Sequence, residues 1–143
     1  MMNYVSPIFE TDLKDFIDIL ESMEIYSTDS LKRIRSRLYT EEEIRDIFKH
    51  IHRQTNTLTF ILISMIKKAS QHRPANIALQ DLLRHLGSYI SYITSLSVNA
   101  SSKYRKNPDY GIRSVNKALR DIIYYIRAIK MDLYAAIGKG LFL

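Results

Sequence analysis

With no cysteine in its 143 residues, the chain can form no disulfide, thiolate zinc site or iron–sulfur cluster, and it has no cysteine nucleophile. Glycine and proline are scarce, at four and three residues, so few positions are marked for turns and long uninterrupted helices are expected. Tryptophan is absent. Long apolar runs are missing too: the longest, Leu58 to Ile66, includes Ser64 and is about half the length a bilayer requires. No signal-peptide pattern opens the chain. The expectation is a soluble protein, not secreted and not on a membrane, inside a cell or within a nucleoprotein particle. What is present is ordinary globular composition, 46% hydrophobic and 25% charged, enough for a single helical domain over residues 1–143.

Charge is unevenly placed. The net +6 arises from 21 Lys and Arg against 15 Asp and Glu. Residues 1–30 hold seven acids and one base, net −6; residues 31–53 hold seven bases and four acids, net +3; residues 54–143 hold thirteen bases and four acids, net +9. The pattern predicts an acidic N-terminal helix packed on a basic body. Three uses are open to such an element: pairing with that body, shielding it from a polyanion until displaced, or reaching a neighbouring copy.

Apolar residues recur at helical spacing, and no segment alternates convincingly with period two. The fold class is therefore all-α, a four- or five-helix antiparallel bundle with three long helices, at about 41–69, 74–98 and 112–137, plus helices at about 7–24 and 29–39. Ser6 and Pro7 start the first, and Thr28, Asp29 and Ser30 offer caps for the second, with Leu31, Ile34 and Leu38 inward. Thr40 with Glu43 makes a capping box for the third. Phe60, Ile61 and Ile63 make its second half apolar nearly all round and predict a central, buried position. On the fourth, Leu79, Leu82, Leu86, Ile90 and Ile93 form the core face, while Gly87, Ser91 and Ser95 predict close packing of another helix. Residues 99–111 read as a polar, basic loop. The apolar end Leu141, Phe142 and Leu143 either closes over the bundle or docks on a partner.

The last helix carries the clearest functional pattern. Val115, Leu119, Ile122, Ile126, Ile129, Leu133 and Ala136 form a heptad seam, and Arg113, Lys117, Arg120, Tyr124 and Arg127 line the opposite side. The preceding segment adds Lys103, Tyr104, Arg105 and Lys106. Cations at such spacing replace counterions on phosphates, and interleaved tyrosines can stack on bases, so these nine residues are the candidate nucleic-acid-binding site.

Catalytic and metal signatures are lacking. His50 and His52, two apart on a helix, face in nearly opposite directions and cannot share a metal ion. No glycine-rich phosphate loop or nucleophile elbow is present, and no cofactor is expected. Arg45-Asp46-Ile47-Phe48-Lys49-His50 resembles the Arg-polar-x-x-x-His motif of the HEPN ribonucleases, small all-helical domains that act on RNA at a dimer interface. The resemblance covers six residues; it implies a metal-independent ribonuclease with His50 as general acid/base and Arg45 as phosphate clamp. The reading preferred on the whole sequence is a non-enzymatic bundle that self-associates as a homo-oligomer and binds nucleic acid, in a packaging, capsid-like or accessory role. Its alternatives are a bundle binding an acidic protein and the ribonuclease.

Overall fold

A computed structural model describes residues 5–71 and 74–143 and consists of four helices: α1 (Pro7–Arg35), α2 (Glu41–Ser70), α3 (Ile77–Lys106) and α4 (Pro108–Gly138). Helix α1 packs on α2 and α4, and α3 packs on the same two, so the four stand in an antiparallel ring joined by short links. At 1.5 Å per residue each rod is about 45 Å long.

Each helix forms because one stripe of its surface must leave water. On α2 the stripe is Ile44, Ile47, Ile51, Leu58, Leu62, Met65 and Ala69, and on α4 the seam from Val115 to Ala136 is buried throughout. Thr40 accepts from the Glu43 amide at 3.2 Å, as the capping box requires. A single large side chain removed from such a stripe costs about 2–5 kcal/mol.

Two expected breaks are absent. The helices expected at 7–24 and 29–39 are replaced by one, Pro7–Arg35, because the stripe Leu20, Met23, Ser27, Ser30/Leu31 and Ile34 keeps its three–four spacing across the cap-forming residues. Burial of that stripe outweighs the local preference of Thr28, Asp29 and Ser30 for a helix start. Ser27 Oγ is left buried without a hydrogen-bond partner. Leu38, past the helix end, is exposed rather than inward.

The loop expected over 99–111 is helical except for Asn107. Ile90, Ile93, Ser97, Ala100 and Tyr104 continue the α3 stripe through small and polar residue types, and Leu83 takes the core position expected of Leu82. Asn107 then caps α4, accepting from the Tyr110 amide at 3.4 Å, with Pro108 in the first turn. So tight a corner needs Gly111: a Cβ there would press on the Tyr104 backbone, 2.8 Å from its nitrogen, and sit 3.0 Å from the Lys103 carbonyl oxygen.

At the opposite end, α3 starts at Ile77, capped by Asn76, rather than at Pro74. The link expected between the helices at about 41–69 and 74–98 falls partly on residues 72 and 73, which lie outside the described residues. The left-handed glycine after α4 is Gly140, φ 77°; Gly138 is still helical. Phe142 folds back over the bundle, its ring edge-on to Phe9 at 5.5 Å and its carbonyl accepting from Ser6 N at 2.7 Å. The apolar C-terminal end thus closes the core.

Phe60 and Ile63 depart furthest from expectation: Phe60 is 76% exposed and Ile63 also faces outward, because a ring of four helices buries only the stripe containing Leu58, Leu62 and Met65.

Gly111→Ala is expected to destabilise the protein by about 1–3 kcal/mol or more through overpacking against backbone. Gly138→Ala, where an added Cβ meets nothing within 4 Å, is expected to leave stability unchanged or raise it by up to about 1 kcal/mol. Urea unfolding of both variants checks the pair, and equal midpoints would contradict the tight corner.

Candidate functional site

Because the α4 seam is fully buried, the opposite side of that helix is fixed as outer surface. Arg113, Lys117 and Arg120 are exposed there, and none takes part in an ion pair among the described residues. Lys103 of α3, also exposed, lines a groove of about 160 Å³ with Lys117 and Asp121. Toward the middle of the bundle the cations give way to aromatic rings. Tyr124 is 66% exposed and lies 5.5 Å from Tyr125, which is 5.5 Å from Tyr92 and 5.8 Å from Tyr89. Tyr89 and Tyr125 are half-buried between α3 and α4, and Tyr92 is 54% exposed. His85 Nε2 lies 3.0 Å from the Tyr89 hydroxyl and 3.6 Å from Asp132, ending the row.

Two of the nine candidate residues are placed elsewhere, and a third is engaged within the chain. Tyr104 is only 5% exposed, since it continues the α3 stripe, and burial raises its phenol pKa; no base can stack on it. Arg105 turns to the other side of α3 and lines a cleft of about 350 Å³ against α2, with Arg45, Lys49 and His52 over Phe48 and Val98. Arg127 is exposed but engaged: its Nε donates to one Glu24 oxygen at 2.9 Å while Lys130 donates to the other at 2.9 Å. Lys106 is exposed in the last turn of α3.

The carboxylates of α1 account for that engagement. Asp12 pairs with Lys68 at 2.9 Å and accepts from Ser64 at 2.9 Å, while Glu21 accepts from the Tyr134 hydroxyl at 3.3 Å. Glu24, with its side chain 21% exposed, is held below the ordinary carboxyl pKa, first by the hydrogen bond from Arg127 and then, against the opposing effect of burial, by Lys130. Thus the α1 carboxylates engage Lys68, Arg127 and Lys130, while Arg113, Lys117 and Arg120, nearer Asn107, take part in no ion pair among the described residues. Residues 22–55 and 92–123, the half nearer Asn107, hold 13 Lys and Arg against 8 Asp and Glu, net +5, whereas the remainder holds 8 against 7, net +1.

Sequence reasoning passed over Arg45, Lys49 and His52 as a group with Arg105. Their i, i+4, i+7 spacing on α2 was the available signal. Arg45 faces this cleft and pairs at 3.7 Å with Glu41, whereas His50 stacks on Tyr26 of α1 at 3.9 Å. Burial, followed by the Arg53 charge, lowers the His50 pKa. Five residues of helix separate Arg45 and His50 by about 140°, so within one chain they do not converge on a shared phosphate.

Among the described residues, no group of three or more His, Asp or Glu is placed to hold a metal ion, and no helix is long and apolar enough to cross a membrane. No protein-family model, curated protein or solved structure matches this chain.

A carboxyl with a lowered folded-state pKa contributes stability that is complete above its unfolded value, here 4.5, and is lost as the pH falls through the lower folded value. Glu24→Gln should therefore cost about 1 kcal/mol at neutral pH, and the deficit relative to the natural protein should shrink as the pH falls from 4.5 through the lower folded value. Urea midpoints across that range check it, and a deficit independent of pH would assign the loss to packing rather than charge.

Proposed function

We propose that this bundle is a non-enzymatic protein that binds nucleic acid on its α3/α4 face and acts as a homo-oligomer, in a packaging, capsid-like or accessory role. The observation that carries the reading is the alignment of Arg113, Lys117 and Arg120, free of ion pairs among the described residues, with the exposed rings of Tyr124 and Tyr92 just beyond them. Phosphates on such cations release counterions, and bases splayed from a single strand have rings to stack on. Lys103 and Lys106 extend the positive surface around the end of α3, toward the second cluster of Arg45, Lys49, His52 and Arg105.

An acidic protein segment is the second reading. It is favoured by one observation: Arg127 and Lys130 of the same helix already grip a carboxylate, Glu24. Carboxylates would satisfy Arg113 and Arg120 in the same manner, but they would leave the exposed ring faces of Tyr124 and Tyr92 without a stacking partner.

Fluorescence anisotropy with a labelled single-stranded oligonucleotide at several salt concentrations tests the proposal. Four cations, Lys103, Arg113, Lys117 and Arg120, give an expected slope of log affinity against log salt of about −2.8, from roughly 0.7 per phosphate on a single strand. The double variant Arg113→Ala with Arg120→Ala should reduce that slope by about 1.4. Tyr124→Ala should leave the slope intact and weaken binding by about 1–3 kcal/mol. An unaltered slope in the folded double variant would move the interface to the α2/α3 cleft. Absence of binding at low salt would leave the acidic-partner reading in front.

A further inference from the structure

On a chain that is one-quarter charged, residues 54–66 and residues 86–102 contain no charged residue at all, runs of 13 and 17 positions. The fold sets these runs side by side on α2 and α3, where Leu62 approaches the Cα of Gly87 so closely that a Cβ would lie 3.3 Å from its Cδ2. The α2/α3 outer face is consequently an uncharged strip between the Arg45 and Arg105 cluster at one end and Arg84, paired with Asp81 at 3.2 Å, at the other.

The strip is apolar in relief as well as uncharged. Phe60 is 76% exposed, Ile63 45% and Ile66 36%, and Phe60 and Ile63 adjoin one turn apart on the helix surface. Beside this ridge runs a cleft of about 670 Å³, lined by Thr59, Leu62, Gly87, Ser91 and Ser95 and reached at one end by Arg84, which pairs with Asp81. Close packing expected at Gly87, Ser91 and Ser95 is realised only at Gly87; Ser91 and Ser95 remain exposed. Contiguous apolar surface of this kind marks a contact with another molecule.

We infer that the occupant is a second copy of this chain, docked two-fold through the α2/α3 face, with the Phe60–Ile63 ridge of each copy set into the cleft of the other. Charge selects the occupant. In a two-fold contact each surface meets itself, so a body carrying +6 opposes like charges wherever its charged faces meet. The uncharged strip escapes that penalty, and it presents ridge and cleft together, as a self-complementary surface must. About 20 Å long and two helices wide, it would bury on the order of 1,000 Å² between two copies, at the lower edge of stable interfaces. An interface at that lower edge is expected to be a weak, concentration-dependent one. The inference rests on the proposed self-association and not on nucleic-acid binding.

Sedimentation velocity of the full chain from about 1 to 200 μM reads the equilibrium. The natural protein should pass from monomer to dimer over that range, and raising the salt should strengthen the dimer by screening the residual repulsion. Phe60→Glu and, independently, Ser91→Arg should each weaken it at least tenfold, with circular dichroism and thermal midpoint unchanged because both positions are exposed. Ile25→Glu, an exposed position on α1, should leave the dimer intact. A dimer that survives both strip variants, or is lost only in Ile25→Glu, overturns the face assignment while self-association stands. A monomer at every concentration removes both, and if that monomer also binds phosphatidylcholine vesicles through Phe60, the strip is a lipid contact instead.

Discussion

Burial of one stripe per helix is the constraint from which the other features of this molecule descend. Each helix is about 30 residues long, far beyond what intrinsic propensity would hold in isolation, and its order derives from the apolar seam it hides. Because the seams keep three–four spacing without interruption, the helices cannot end early even where the sequence offers caps. Once four seams face one another, every remaining surface is free to differ from its neighbours. That freedom divides the exterior into an acidic face on α1, a basic one on α4 and an uncharged one across α2 and α3.

The helical class, the α2 boundaries and the α4 seam were legible because each is written in strong residue types. Thr40 with three glutamates can scarcely be anything but a helix start, and seven aliphatic or alanine positions at heptad spacing fix a buried face. The continuity of α1 and α3 was hidden because their stripes pass through Ser27, Ser30, Ser97, Ala100 and Tyr104. Small hydroxyl residues at a core position look like cap or loop formers until the opposing helix is known. Only the tertiary contact, such as Gly111 against the Tyr104 backbone, reveals that small size is the property in use.

The candidate interface was partly legible for a related reason. Helical phase places Arg113, Lys117, Arg120 and Tyr124 correctly, since it depends on α4 alone. It cannot show that Arg127 has an α1 carboxylate within reach, nor that Arg105 points to α2 rather than α4, because those facts belong to pairs of helices. Phe60 failed in the opposite direction. An all-round apolar segment usually signals central burial, but in a four-membered ring each helix has only one hidden side, so the surplus apolar residues had to emerge on the surface.

The two proposed surfaces are compatible, and their arrangement has a consequence. A two-fold contact through α2 and α3 covers the side of each bundle away from α1 and leaves the outer face of α4 open on both copies. Each dimer would then present two cationic ridges, and a strand long enough to reach from one to the other would engage the second as an intramolecular event, at an effective concentration far above that of free protein. Modest affinity at a ridge of three or four cations would be amplified without new contacts. Under the two proposals the uncharged strip and the basic ridge would serve one device: dimerisation through a face without charge would join two bodies whose charged faces repel, and an anionic strand reaching both ridges would supply the charge that makes holding them in one particle favourable.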